Sequence, residues 1–252
     1  MKDMEKIILM EDFKYIIGSG FWAPNPIESK EKQQSYLERQ EFLNIWIENT
    51  LKYSNPLPKQ INIINSNATK PIINKFNYSN IQWIDLLENP GHSISTDLKI
   101  CGWRSSILIS ALIAYSSRCD LIYKEQDCLY FGNIIEQIYK ESKGNKILTG
   151  RFKSDANLQA EISLMYVPHK MLFKFIETLS NIIENEMIKP NYPEKEIALL
   201  IDMLDGEYFT FGYGRDRPIN FNDNCFFIQH IGYDRSEKAQ KLFDELKNRK
   251  LI

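Results

Sequence analysis

Apolar residues along this chain fall into short continuous runs and into longer stretches with helical spacing, and the two kinds alternate. The run at 14–20, ending Gly18-Ser19-Gly20, predicts a short buried strand that stops on glycines. From 29 to 53, Leu43, Trp46, Ile47 and Leu51 recur at helical spacing opposite a Glu, Gln and Arg face, which predicts an amphipathic helix. Strands follow at 59–67 and 81–87. A loop rich in Asn, Pro and Gly (88–97) then leads into a helix over 98–117, with Asp97 or Thr96 as its N-cap. That helix is apolar nearly all round and belongs between layers. A fourth strand spans 120–126. Strand, helix, strand, strand, helix, strand is the alternation of an α/β sheet.

The second half is less regular. It predicts a short helix at 133–141, strands at 146–152 and 161–167, and a strong helix at 169–186. The Gly- and aromatic-rich stretch 202–220 predicts a mobile loop, 225–230 a strand, and 235–250 an amphipathic helix with Leu242, Phe243 and Leu246 inward. No repeat, low-complexity tract or linker divides the chain, so residues 1–252 read as one domain.

A net charge of −2 gives no basic field for nucleic acid, which argues against a nucleic-acid partner. Cys101, Cys119, Cys128 and Cys225 form no CxxC pair and no zinc-like spacing to His, and read as small buried hydrophobes. No apolar run is long enough for a signal peptide or a membrane span, so the expected compartment is reducing and cytoplasmic. The sequons at Asn67 and Asn77 then carry no meaning.

The feature demanding explanation is Glu125-Gln126-Asp127, where an apolar strand runs into two carboxylates. Acid-x-acid occurs elsewhere in the chain, but only here after an apolar strand in the α/β alternation. If the backbone stays extended, Glu125 and Asp127 point the same way, about 6 Å apart. They then repel by roughly 3 kcal/mol at an effective dielectric near 20. Such a pair shifts a pKa or holds a cation, and hard divalent metals, Mg²⁺ or Mn²⁺, suit oxygen ligands. The alternative is a solvated strand end in which one acid caps the next helix.

This order of elements, with a fourth strand ending in Glu-Gln-Asp, resembles the nucleotide-sugar-dependent glycosyltransferases of the GT-A fold. Their short acidic motif, DxD, ends the fourth strand; here Glu125 replaces its first acid. The resemblance covers about residues 14–170. It implies a GT-A, Rossmann-like mixed sheet flanked by helices. It also implies a nucleotide-sugar-binding half at 14–130 and an acceptor-side half at 131–252, with the mobile loop at 205–218.

The resemblance also implies roles. Asp127, Glu125 and His230 would hold Mn²⁺ or Mg²⁺. At the nucleotide base, Gly18 and Gly20 would permit close backbone approach, Phe21 or Trp22 would stack, and Asn65 or Asn67 would bond the base edge. Arg104, alongside Lys99, Glu125, Arg215 and Arg217, would address the rest of the nucleotide; two arginines on a glycine-hinged loop suit a lid over a leaving diphosphate. Glu161, Asp202 and Asp205 are candidate catalytic bases, and the sequence does not choose among them. The implied partners are a UDP- or GDP-linked sugar donor and a glycan, protein or lipid-linked saccharide acceptor, the last met by peripheral contact with the membrane face. A non-catalytic nucleotide-sugar-binding domain is the main alternative. A metal-dependent nuclease is disfavoured, because Lys124 precedes the acid instead of following it.

Overall fold

The computed structural model describes residues 13–69, 78–91, 101–151, 160–187, 192–216, 219–230 and 237–252. Its centre is β1 (Tyr15–Phe21), whose side chains alternate between two cores: Tyr15 and Ile17 face one, Ile16 the other. Burying each of these isoleucines contributes about 1.5–3 kcal/mol. On one side β1 pairs in parallel with β2 (Gln60–Asn65), which pairs in parallel with β3 (Ile81–Asp85). On the other it pairs in parallel with β4 (Asp120–Lys124).

The sheet continues through β7 (Ala160–Val167), antiparallel to β4, then β6 (Leu148–Arg151) and the two-residue β8 (Glu207–Tyr208). The seven strands run β3-β2-β1-β4-β7-β6-β8. A separate ribbon pairs β5 (Leu129–Gly132) with β9 (Cys225–Ile228).

Helices cover both faces, as a largely parallel sheet requires. On one face α1 (Lys30–Tyr53) buries Phe42, Leu43, Trp46 and Ile47, joined by the ribbon, α3 (Ile134–Ser142) and α6 (Glu237–Asn248). On the other, α2 (Gly102–Ser116) packs with α4 (His169–Glu184) and α5 (Pro193–Met203). All four cysteines are buried and free. No helix among the described residues is long and apolar enough to cross a membrane.

Four differences from the sequence reading matter. The fourth strand ends at Lys124, before the acidic pair. Strand β5 and helix α5 were not predicted. The stretch expected to be a loop from 205 is tied down instead: β8 extends the sheet, the Phe209 N–H donates to Thr149 O at 2.8 Å, and the Tyr213 N–H donates to Phe227 O at 2.9 Å. Finally, Thr96 and Asp97 lie outside the described residues, and Cys101 holds the N-cap position of α2 without a side-chain capping bond.

Candidate active site

The acidic pair sits on a turn. The Glu125 N–H still donates to Ser163 O of β7 at 2.9 Å, and the Glu125 carbonyl then accepts the Cys128 N–H at 3.0 Å. This closes a four-residue turn and breaks the strand alternation. Two side chains pin it: the Trp46 indole N–H donates to Glu125 O at 2.8 Å, and Gln126 Oε1 accepts the Trp22 N–H at 3.0 Å. The carboxylates therefore converge through the turn and through a shared donor, not through strand parity.

That donor is Gln229. Its Nε2 bonds Glu125 Oε2 and reaches Asp127 Oδ1 at 3.4 Å. The next residue, His230, places Nε2 3.5 Å from Asp127 Oδ2. The ribbon explains the meeting: β5 and β9 pair Leu129 with Ile228, and two steps further along the same register stand Asp127 and His230.

Arg215 closes the group. Its Nε donates to Gln229 Oε1 at 3.1 Å, its Nη2 donates to Glu194 Oε1 at 3.2 Å, and its Nε lies 3.9 Å from Glu161 Oε2. Gly214 positions it: its backbone is left-handed (φ 50°), and a Cβ there would come within 2.7 Å of Glu161 Cγ. Burial pushes the Glu161 carboxyl up to about 7. Burial first, then the charges of Asp127 and Glu161, holds Glu125 well above the usual carboxylate range.

These groups line a cleft of about 700 Å³ at the carboxyl edge of the parallel strands, where open α/β sheets bind ligands. Gly20, Phe21, Trp22 and Ser66 supply one wall, the first turns of α2 and α5 another, and Glu125, Asp127, Arg215, Gln229 and His230 the floor.

The other expected residues fall as follows. Phe21 lines the cleft but is buried edge-on against Trp83, whereas Trp22 is 38% exposed with the Arg39 guanidinium 5.0 Å from its ring centre. Gly18 packs against Ser110, leaving no room for a Cβ. Asn65 is buried and bonds Ala68 and Asp85. Asn67 is beside Ser66, which lines the cleft. Arg104 is buried in a two-bond pair with Glu196 and ties α2 to α5. Glu161 stands behind Arg215, and Asp205 lies just beyond the C-terminus of α5, at the opposite end of that helix from Glu194. Arg217 and Lys99 lie outside the described residues.

Two cleft groups escaped the sequence reading, Gln229 and Glu194. Glu194, in the first turn of α5, is a carboxylate from the second half of the chain that lines the cleft. The signal was present: Pro193 followed by Glu194 and Glu196 ahead of an apolar run is a helix-start pattern.

Neither a protein-family model nor a curated protein sequence matches the chain. Solved structures do. The galactosyltransferase LgtC, solved with donor and acceptor sugar analogues, superposes with a TM-score of 0.52 at 13% identity, over 93% of this chain and 95% of that one. A glycosyltransferase involved in glycosylating the major capsid of PBCV-1 gives 0.54 at 12% identity, over 92% and 99%. The fold is GT-A. Both likenesses span nearly the whole chain, so the second half, where the sequence pattern was weakest, belongs to the GT-A architecture as fully as the first.

Proposed function

We propose that this chain is a glycosyltransferase (a hexosyltransferase-type enzyme) that moves a sugar from a UDP- or GDP-linked donor to a saccharide-type acceptor. The observation that carries the reading is one cleft holding Glu125, Asp127, His230 and Arg215 at the carboxyl edge of a GT-A sheet. Two carboxylates and an imidazole are suitable donors for Mn²⁺ or Mg²⁺. Asp127 and His230 already approach each other, with Glu125 next to them on the shared amide. Among the described residues no group of three or more acidic, His or Cys side chains is already arranged to hold a metal ion. Asp127 and His230 would hold the cation, with Glu125 joining once its bond to Gln229 is given up. When bound, the cation would offset charge on the departing nucleoside diphosphate.

The chain's own residues supply the rest. Arg215, a forked donor on the cleft floor, is placed to bind diphosphate oxygens. Trp22 offers an exposed ring to the nucleotide base. Glu194 takes the role for which Glu161, Asp202 and Asp205 were the sequence candidates: it reaches the cleft, accepts from Arg215, and can orient or deprotonate an acceptor hydroxyl. We place the reaction in the cytoplasm, with the acceptor a glycan, a protein or a lipid-linked saccharide met at the membrane face.

The test is a thermal-shift panel of UDP, GDP and CMP, each with and without Mn²⁺, on wild type and Asp127→Ala, followed by sugar-nucleotide turnover. A diphosphate that stabilises the wild type only with Mn²⁺, loses that effect in Asp127→Ala, and whose sugar ester is turned over would support the reading. Stabilisation without turnover would favour a non-catalytic sugar-nucleotide-binding domain. No shift under any condition would refute both.

A further inference from the structure

Gln229 is only 2% exposed, and its amide bonds charged groups on both sides: its carbonyl accepts from Arg215 and its NH₂ faces Glu125 and Asp127. Its orientation is dictated by Arg215. A guanidinium only donates, so it takes the amide carbonyl, and the NH₂ must then face Glu125 and Asp127. The amide thus occupies the place between two carboxylates where a cation would bind. The backbone holds it there, because the Gln229 N–H donates to Gly214 O at 2.7 Å, one residue from Arg215.

We propose that Gln229 couples diphosphate binding at Arg215 to cation binding at Glu125 and Asp127; this rests on the donor-site reading above. With Arg215 on its carbonyl, the amide NH₂ holds the two carboxylates and competes with the cation. A diphosphate that draws the guanidinium away removes the group that fixed the amide. The side chain can then rotate about its terminal bond, withdrawing NH₂ from the acids and turning a carbonyl oxygen, a suitable ligand for a hard cation, toward them. The reverse holds too: a cation that displaces the NH₂ loosens Arg215 for phosphate. Such coupling is reciprocal by thermodynamic necessity. Gln229 acts here through its neighbours, as a positioning residue.

The test measures Mn²⁺ affinity from the electron paramagnetic resonance signal of free Mn²⁺. Titrations are run without nucleotide and, separately, with saturating UDP and GDP, on wild type, Gln229→Leu, Gln229→Glu and Asp127→Ala. Both Gln229 variants remove the competing NH₂. Leu also removes the acceptor for Arg215, whereas Glu keeps it, so a folding defect in one does not silence the other. We expect each folded variant to bind Mn²⁺ roughly tenfold more tightly than wild type without nucleotide, about the worth of one charge-assisted hydrogen bond. The further tightening that nucleotide gives the wild type should shrink by the same factor. Unchanged nucleotide-free affinity in both variants, with Asp127→Ala still abolishing binding, would overturn the coupling and leave the donor site standing. Mn²⁺ binding that survives Asp127→Ala, or is absent from every variant, would remove the donor-site reading and the coupling with it.

Discussion

The indole N–H of Trp46 donates to the backbone carbonyl of Glu125 at 2.8 Å, so α1 grips from behind the turn that carries both carboxylates. Trp46 is 1% exposed and sits 79 residues earlier in the chain. Trp46→Phe keeps an aromatic ring and loses the donor. It should lower stability by about 1–3 kcal/mol in urea denaturation and weaken Mn²⁺ binding. If stability falls while Mn²⁺ affinity is unchanged, the turn does not depend on this bond.

Arg104 and Glu196 are both almost fully enclosed, and their pairing is structural. Arg104→Met leaves a buried carboxylate without its partner, which costs about 3–5 kcal/mol. Adding Glu196→Leu should restore most of that loss. The double variant should also bind nucleotide as the wild type does, because neither group lines the cleft. Calorimetric titration checks this, and a large loss of affinity in the folded double variant would return Arg104 to the ligand site.

Lys124 is buried, with its amine donating to Asn49 Oδ1 at 2.9 Å and Thr50 Oγ1 at 2.7 Å, beside the rings of Trp46 and Tyr130. Burial pushes its pKa down from 10.5 to about 7. Between those values the unfolded chain binds a proton that the folded chain releases. Its contribution to stability therefore rises with pH across that window and is lost as pH falls through about 7. The stability of wild type minus that of Lys124→Met should climb from pH 7 toward pH 10, by at most about 1.4 kcal/mol per pH unit. A difference independent of pH would mean that Lys124 titrates normally.

Trp22 offers the exposed ring at the cleft mouth, whereas Phe21 is packed against Trp83. Trp22→Ala should weaken nucleotide binding by about 1–3 kcal/mol, the usual worth of one base–aromatic stack. Isothermal titration with the nucleotide that stabilises the wild type would show it. Equal affinity would place the base elsewhere.

The first half of the fold was legible because its period signals are clean. The apolar runs of β1, β2 and β4 and the nearly all-apolar α2 are what a parallel sheet between helix layers requires. Of the candidate site, the sequence brought out the two acids that line the cleft, Glu125 and Asp127, but not their geometry. Strand parity assumed a backbone that stays extended, and the Glu125–Cys128 hydrogen bond turns it.

The polar residues at strand and helix ends were hardest to place. Asn65 and Arg104 look like ligand contacts in sequence, yet each bonds a neighbour that the sequence does not bring near, Asp85 for one and Glu196 for the other. Glu194 and Gln229 were missed for the converse reason. Glu194 sits on a helix whose start signal was passed over, and Gln229 matters only through Arg215 and two acids about a hundred residues away.

The β5–β9 ribbon has a wider consequence. It works as a ruler: four rungs, counted from Gly132 opposite Cys225, set how far Asp127 stands from His230. Some of those rungs are aromatic, with the Phe131 and Phe226 rings 4.9 Å apart and neither lining the cleft. A substitution that shifts the count there touches no ligand, yet it would move one side of the site past the other. The geometry of the candidate site is thus set partly by hydrophobic contacts that do not line the cleft.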